Sequence, residues 1–438
     1  MMHLHLRAAV IALALAPVVP SPGQQSPDPA VTLQRARERL LTDLDRMPRY
    51  TCIQTITRKY YEAESRVQRP ACSALLAARQ KRKHELDILS WDRMRLEVAL
   101  VDNTSVYSWV GAPKFDEATL DQLAGHGPLG SGDFGFFLSE ILRRATPLFQ
   151  QEVVVDGRRL FEYSYNIPLE KSRYKIKTSD GWDFTAYSGT ILLDPEAADI
   201  ATLTVRTAEL PAHSSGCQVI SEVDYGRKSI HGRMTLVPRE TRLRSIERAG
   251  NETASLTSFT SCREYSSTVR LLWNSPQEDA QPAAAPSTAA EQPDRLPAGL
   301  HFSWRLVTPL DSDTAAAGDP IEAVLRLPMR NGKGQVVAPA GAHLHGRLRR
   351  LEQRFEQRSE TSDTFVIGVQ FESVDIAGKR VPFTATSFPS RPRTLAERSA
   401  SDDPTDIGTL YFHTDHLRLK QADSEWITTS ADTGKDKK

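Results

Sequence analysis

From Tyr50 onward the chain is written in period two. Thr51, Ile53, Thr55 and Thr57 alternate with Cys52, Gln54, Ile56 and Arg58, so that successive side chains fall on opposite faces of an extended backbone, as in a strand with one buried side. The pattern returns at 93–100, 103–110, 159–167, 174–177, 182–193, 202–207, 219–230, 233–246 and 254–272. Ile230-His231-Gly232 and Ala249-Gly250-Asn251 supply the glycines that tight hairpin connections need. Helical spacing is confined to a few places. Leu33, Ala36, Arg37, Leu40, Leu44 and Met47 recur at three- and four-residue steps between Asp28-Pro29 and Pro48, which predicts an amphipathic helix ended by proline. Shorter helical segments are expected at 74–86 and 134–142. Strands in sequence order with hairpin joints make a mainly β chain of the α+β kind, one helix followed by an antiparallel meander.

The meander gives out near residue 273. Between 274 and 295 the composition turns to Pro, Ala, Ser, Gln and Glu, as in Gln281-Pro282-Ala283-Ala284-Ala285-Pro286, too poor in large apolar side chains to build a core. A second unit, 296–430, resumes with strands at 301–308, 320–327, 342–351, 364–374, 381–387 and 410–419. The segment 387–406 reads as a polar loop and 431–438 as a lysine-rich tail.

The first residues carry a different signal. Arg7 precedes an apolar run over 8–19, which then breaks at Pro20-Ser21-Pro22-Gly23. The run is shorter than the roughly 20 residues of a spanning helix. It has the layout of a signal peptide, 1–23, with the small residues Ser21 and Gly23 before a cleavage point. The expected location is therefore periplasmic or secreted, with no transmembrane segment in the mature chain. Four cysteines, Cys52, Cys72, Cys217 and Cys262, suit such an oxidising compartment. Their spacing leaves three pairings open, and the absence of any C-x-x-C argues against zinc. Lys and Arg number 55 and Asp and Glu number 55, so the balanced net charge gives no reason to expect nucleic acid or an anionic membrane surface as partner.

Chemical motifs are sparse. Gly125-His126-Gly127-Pro128-Leu129-Gly130 matches G-x-G-x-x-G, yet a helix-like stretch precedes it and Pro128 removes an amide that a pyrophosphate would need. His413-Thr414-Asp415-His416, and His343 with His345 on one strand face, offer two imidazoles each without a complete ligand set. No G-x-S-x-G elbow and no H-E-x-x-H occurs. Asp116, Glu117 and Asp121 are spaced as an exposed helix face, and the run Arg79-Gln80-Lys81-Arg82-Lys83-His84 reads likewise. Asn103-Thr104-Ser105 and Asn251-Glu252-Thr253 are chance-level sequons. No catalytic, cofactor or metal residue is assigned, and the expectation is a non-enzymatic protein. One grouping stands out: Tyr163, Tyr165, Tyr174, Trp182, Phe184 and Tyr187 are placed to line a concave sheet or to fill a core.

The order of an N-terminal helix and a curved meander, with Thr190-Ile-Leu-Leu-Asp194-Pro195 leading to Thr202-Leu-Thr-Val-Arg206 and later Leu236-Val237-Pro238-Arg239, resembles the half-barrel of periplasmic lipoprotein carriers of the LolA kind, over roughly residues 31–273. Pro48-Arg49-Tyr50-Thr51-Cys52-Ile53-Gln54-Thr55-Ile56 and Ser261-Cys262-Arg263-Glu264-Tyr265 resemble segments of an uncharacterised exported family of acidobacterial type. Because both segments carry a cysteine, that resemblance implies a Cys52–Cys262 bridge, leaving Cys72 and Cys217 to pair or stay free. Leu296-Pro297-Ala298-Gly299, Leu310-Asp311-Ser312-Asp313, Gly318-Asp319-Pro320 and Ala338-Pro339-Ala340-Gly341-Ala342 leading to Gly346 resemble stretches of the C-terminal barrel of TrbI-type conjugation proteins, although the transmembrane anchor and long proline-rich spacer of that family are missing. The resemblances imply a LolA-like half-barrel over 24–273 and a small β-barrel or sandwich over 296–430. They imply as partner a lipid or lipoprotein acyl chain held in the half-barrel, with envelope proteins as the alternative partner of a structural or assembly protein. An apolar cavity inside the half-barrel would favour the carrier, and a filled core with an exposed apolar edge would favour assembly.

Overall fold

A computed structural model describes residues 27–63, 70–101, 104–112, 136–265, 294–355, 363–387, 406–421 and 425–430. Helix α1, Pro29–Asp45, begins where the Asp28 carboxylate accepts the amides of Ala30 and Val31, and proline sits in the first turn where its missing N–H costs nothing. Thr32, Ala36, Leu40 and Leu44 form its buried stripe. Then come β1 (Tyr50–Tyr61), α2 (Cys72–Lys81), β2 (Ile88–Val101), β3 (Thr104–Trp109), α3 (Phe136–Arg144), β4 (Leu148–Val155) and β5 (Arg158–Ile167). A short hairpin, β6 (Lys175–Thr178) and β7 (Gly181–Phe184), precedes β8 (Tyr187–Asp194), β9 (Asp199–Thr207), β10 (Gly216–Ile230), β11 (Arg233–Glu247) and β12 (Glu252–Glu264).

The strands pair antiparallel in the order β4-β5-β8-β9-β10-β11-β12-β1-β2-β3. Hairpins account for most of that order, and the first strand slips in between the last and the second. Cys52 on β1 and Cys262 on β12 form a disulfide at that junction, and Cys72–Cys217 ties α2 to β10. The first bridge spans a bulge, for the register passes from Thr51↔Arg263 to Ile53↔Thr260, with Ser261 at φ 50°.

The second unit contains β13 (His301–Phe302), β14 (Trp304–Asp311), β15 (Pro320–Leu325), β16 (Met329–Arg330), β17 (Val336–Ala338), β18 (His343–Arg354), β19 (Thr364–Ile376), β20 (Lys379–Pro382), β21 (Thr384–Ser387), β22 (Gly408–His413), β23 (Arg418–Gln421) and β24 (Trp426–Thr429). Its main sheet runs β23-β14-β15-β18-β19-β22. Its core is aromatic. Trp304 and Trp426 are fully buried, their ring centroids 5.7 Å apart, and Phe371 lies 5.4 and 5.3 Å from them, geometry in which edge-to-face contacts add to the burial of large apolar area. The described strands form open sheets rather than a closed barrel.

The two units share one sheet. β3 pairs only the C-terminal half of β2, and the free half of that edge takes β18 through Glu352↔Asp92, Gln353↔Trp91 and Arg354↔Ser90. Ala317 continues the seam, donating its amide to Arg93 O and accepting from Arg95 N. Side chains lock the join. Trp91 Nε1 donates to Gln353 at 2.7 Å, Arg93 reaches the carbonyls of Ser312 and Asp313, Arg95 pairs with Asp319, and Arg347 reaches Val110 O.

The observed strands differ from the expected ones in several places. The segment 182–193 is divided at Thr185 and Ala186 between β7 and β8, and 410–419 is divided at 414–417 between β22 and β23. β4 was not expected, because an edge strand wet on both faces shows no alternation. The part of the 254–272 expectation beyond residue 265 lies outside the described residues, as do the expected signal peptide, residues 274–293 of the expected linker, residues 388–405 of the expected loop and the expected tail 431–438.

Gly318 sits at the seam with φ 103°, where a Cβ would lie 2.1 Å from Arg95 O and 2.8 Å from the Trp109 ring. Gly318→Ala therefore combines left-handed strain with a backbone clash and is expected to lower stability by roughly 2–4 kcal/mol. Urea unfolding followed by tryptophan fluorescence measures this, and an unchanged midpoint would show that the seam is not tightly packed there.

Candidate functional site on the concave face

Inward-facing positions on β5, β8, β9 and β10 build one apolar surface. Phe161, Tyr163, Tyr165 and Ile167 come from β5, Tyr187, Ile191 and Leu193 from β8, Leu203 and Val205 from β9, and Val223 and Tyr225 from β10. The period of two sends all of these to the same side. Ala36, Leu40 and Leu44 of α1 and Leu138, Ile141 and Leu142 of α3 pack onto them in a single cluster. The sheet thus forms a trough and the two helices its cover. Gly189 admits the close passage of Tyr165 and Thr204, since a Cβ there would fall 1.8 Å from Thr204 O.

The phenols in the trough have one polar end to satisfy. Tyr165 donates to Thr204 O at 2.7 Å, and Tyr163 donates to Pro29 O at 2.7 Å, binding the sheet to the start of α1. Burial pushes Tyr163, Tyr174 and Tyr187 up to about 12, and drives Tyr165 and Tyr225 higher still.

The cover is fastened at its rim by polar contacts. Arg227 on β10 bridges Asp43 of α1 at 2.6 Å and Asp199 of β9. Arg39 of α1 donates to Ala197 O at 2.6 Å and Arg233 donates to Arg46 O at 3.0 Å, while Arg143 of α3 pairs with Asp45 of α1 at 2.8 Å and ties the two helices to each other. A cleft of about 390 Å³ runs along this rim, lined by Arg35, Glu38, Arg39, Thr42, Asp43, Ala197 and Ala198. The Arg227 clasp joins residues far apart in the chain, and no local motif announces it.

Of the six aromatics singled out in the sequence, Tyr163, Tyr165, Tyr174 and Tyr187 meet in the trough, with Tyr174 5.8 Å from Tyr187 and 5.1 Å from Phe137 of α3. Trp182 and Phe184 do not. They stand on the β6–β7 hairpin with 66% and 42% of their surface exposed. The histidine pairs also separate. His413 bonds Thr364 Oγ1 at 3.0 Å, while His416 lies 3.5 Å from both Asp311 and Asp313, a grouping of three potential ligands within 4.8 Å. Arg418 already occupies Asp311 at 2.8 Å. His345 pairs with Asp375 at 2.8 Å, and His343 is exposed.

Arg79 and Arg82 of the basic run turn toward Glu252, which is 3% exposed and also takes Arg244 at 2.8 Å. Asn251 Oδ1 accepts the amide of Ala63. Asp116, Glu117, Asp121, the glycine motif 125–130 and Asn103 lie outside the described residues. At the sheet edge, β4 exposes Leu148, Phe149, Val154 and Val155.

No family model matches the chain, and no curated protein does. Among solved structures, a DUF1329 family protein from Desulfovibrio piger is similar at 9% identity and a TM-score of 0.27, covering 54% of this chain and 93% of that one. A LolA superfamily protein from Nitrosomonas europaea is similar at 9% identity and a TM-score of 0.24, covering 52% and 94%.

The buried phenols set an alkaline limit. Below pH 10 they are neutral in folded and unfolded chains alike, whereas above it only the unfolded chain ionises freely, so the stability they contribute is lost as pH rises through about 12. Tyrosinate absorbance and far-ultraviolet circular dichroism should change together in that window. Titration near pH 10 with the fold intact, assigned to the trough by its loss in Tyr174→Phe and Tyr187→Phe variants, would contradict the packed trough.

Proposed function

We propose that the protein is an exported, non-enzymatic binding protein, and that its first unit shelters an apolar ligand, a lipid or acyl chain, between the concave sheet and the α1–α3 cover. The observation that carries this reading is the division of labour in the cover. Its inner side is apolar and replaceable by any apolar chain, while α1 is tied to the strands by polar contacts at the rim, where water can take over each hydrogen bond as it breaks. Opening breaks the rim bonds at little cost, and an entering apolar chain replaces the contacts that α1 and α3 give up. The two disulfides suit an oxidising compartment, and no helix among the described residues is long and apolar enough to cross a membrane.

A second reading has its own support. The trough is filled by the helices, with no apolar cavity beneath them among the described residues, and β4 presents an apolar edge to solvent; a filled core with an exposed apolar edge is the feature that favours an assembly protein of the envelope working through protein contacts. Under the first reading α1 and α3 must move for a ligand to enter; under the second they stay in place.

Native mass spectrometry of protein purified from periplasmic extract, followed by organic extraction, separates the two. The carrier reading expects a co-purifying lipid, and expects Arg227→Ala, which cuts the clasp between α1 and β9, to bind a fluorescent fatty-acyl probe faster than the parent chain. A clean apo mass, with no probe uptake by either form, would reject that reading in favour of assembly.

A further inference from the structure

The β6–β7 hairpin has two unlike faces. Across it Lys175 pairs with Phe184 and Lys177 with Trp182, and directly opposed residues project to the same side. That side therefore carries two exposed lysines and two exposed rings, Trp182 at 66% and Phe184 at 42%. The other side is turned inward through Ile176, 8% exposed. The hairpin's acidic groups stand apart from the lysine and aromatic face: Asp183 shares the inner side and meets His213 at 3.2 Å, and Asp180 lies in the turn with Ser179. Just before β6, Leu169, Lys171 and Arg173 are exposed as well, beside Glu170.

Large rings alternating with lysines form a surface suited to the boundary between headgroups and acyl chains. Indole and phenyl settle at the interface while each ammonium reaches an anionic phosphate. We infer that this hairpin docks the protein on an anionic lipid surface, a local charge pattern acting where the net charge of the whole chain is zero. The lysines favour phosphate-bearing lipid over a neutral glycan, which would use the rings alone. The hairpin is also braced for the role. Ser179 N donates to His213 O, Thr185 N to Tyr174 O, and the Ser172 hydroxyl to Thr185 O at 2.6 Å, so a loaded tip would not fold away. Tyr174 at its base contacts Phe137 of α3, which places the docked face next to the cover of the trough. The inference goes beyond the ligand reading and stands whether or not the trough holds lipid.

The test is vesicle co-sedimentation of the periplasmically purified chain, with phosphatidylglycerol-rich vesicles against pure phosphatidylcholine vesicles. Binding is expected only to the anionic vesicles and should weaken with salt. Lys175→Ala with Lys177→Ala should weaken it about 25-fold, about fivefold per lysine, and Trp182→Ala with Phe184→Ala should abolish it. Lys175→Arg with Lys177→Arg should bind as the parent does. Far-ultraviolet circular dichroism confirms the fold of each variant, and brominated acyl chains should quench Trp182 emission in the parent chain. Equal binding by parent and alanine variants overturns the inference. So does retention by a glycan polymer but not by vesicles, or a change of oligomeric state in place of a change in vesicle binding.

Discussion

An open antiparallel sheet that curves has one apolar face to hide, and the hydrophobic effect leaves it no stable way to stand uncovered in water. In this protein the cover is made by α1 and α3, and much of the first unit follows from that need. The N-cap at Asp28, the Tyr163 bond to Pro29 O and the Arg227 bridge to Asp43 all serve to seat α1 on the trough. Tyrosine suits the lining because its ring joins the apolar layer while its hydroxyl finds a carbonyl at the periphery. Under the proposed carrier function, the residues that complete the core are also the ones that would meet the ligand.

The second constraint is an edge. β2 outruns β3, and an unpaired strand edge invites uncontrolled pairing with other chains. β18 and Ala317 occupy that edge, with arginines 93, 95 and 347 threading into carbonyls on the facing unit. Asp92 and Glu352 stand opposite each other across the join, and Arg58, which pairs Asp92 at 2.6 Å, and Arg350 and Arg354, which pair Glu352 at 2.6 and 2.7 Å, offset the two like charges. The outer edge of the first unit has no such cap among the described residues, and β4 there keeps its apolar side chains in contact with solvent.

Much of this was legible in the chain. Steps of three and four residues mark α1, the alternation at Tyr50 marks β1, and His231-Gly232 marks the β10–β11 turn, all because local geometry dictates local pattern. The Cys52–Cys262 bridge followed from a resemblance and is present. What escaped depends on distance or on context. Arg227 meets Asp43 from a remote part of the chain, and His416 joins Asp311 and Asp313 only when β14 and β23 pair. Trp182 and Phe184 alternate just as Tyr163 and Tyr165 do, and only the surrounding sheet decides that one pair faces water and the other the core. β4, with Gln150, Gln151 and Glu152 at its centre, lacks the half-buried environment that writes a strand into sequence.

For the proposed ligand to enter, the α1–α3 cover must open transiently at its polar rim while the strands stay paired, at a lower free energy than global unfolding. Hydrogen exchange of the ligand-free protein, read by mass spectrometry at peptide resolution, tests this most directly. The amides of α1 and α3 are expected to exchange well before those of β5, β8, β9 and β10. If helices and strands exchange together at the rate of global unfolding, the cover is an inseparable part of the core and the account is wrong.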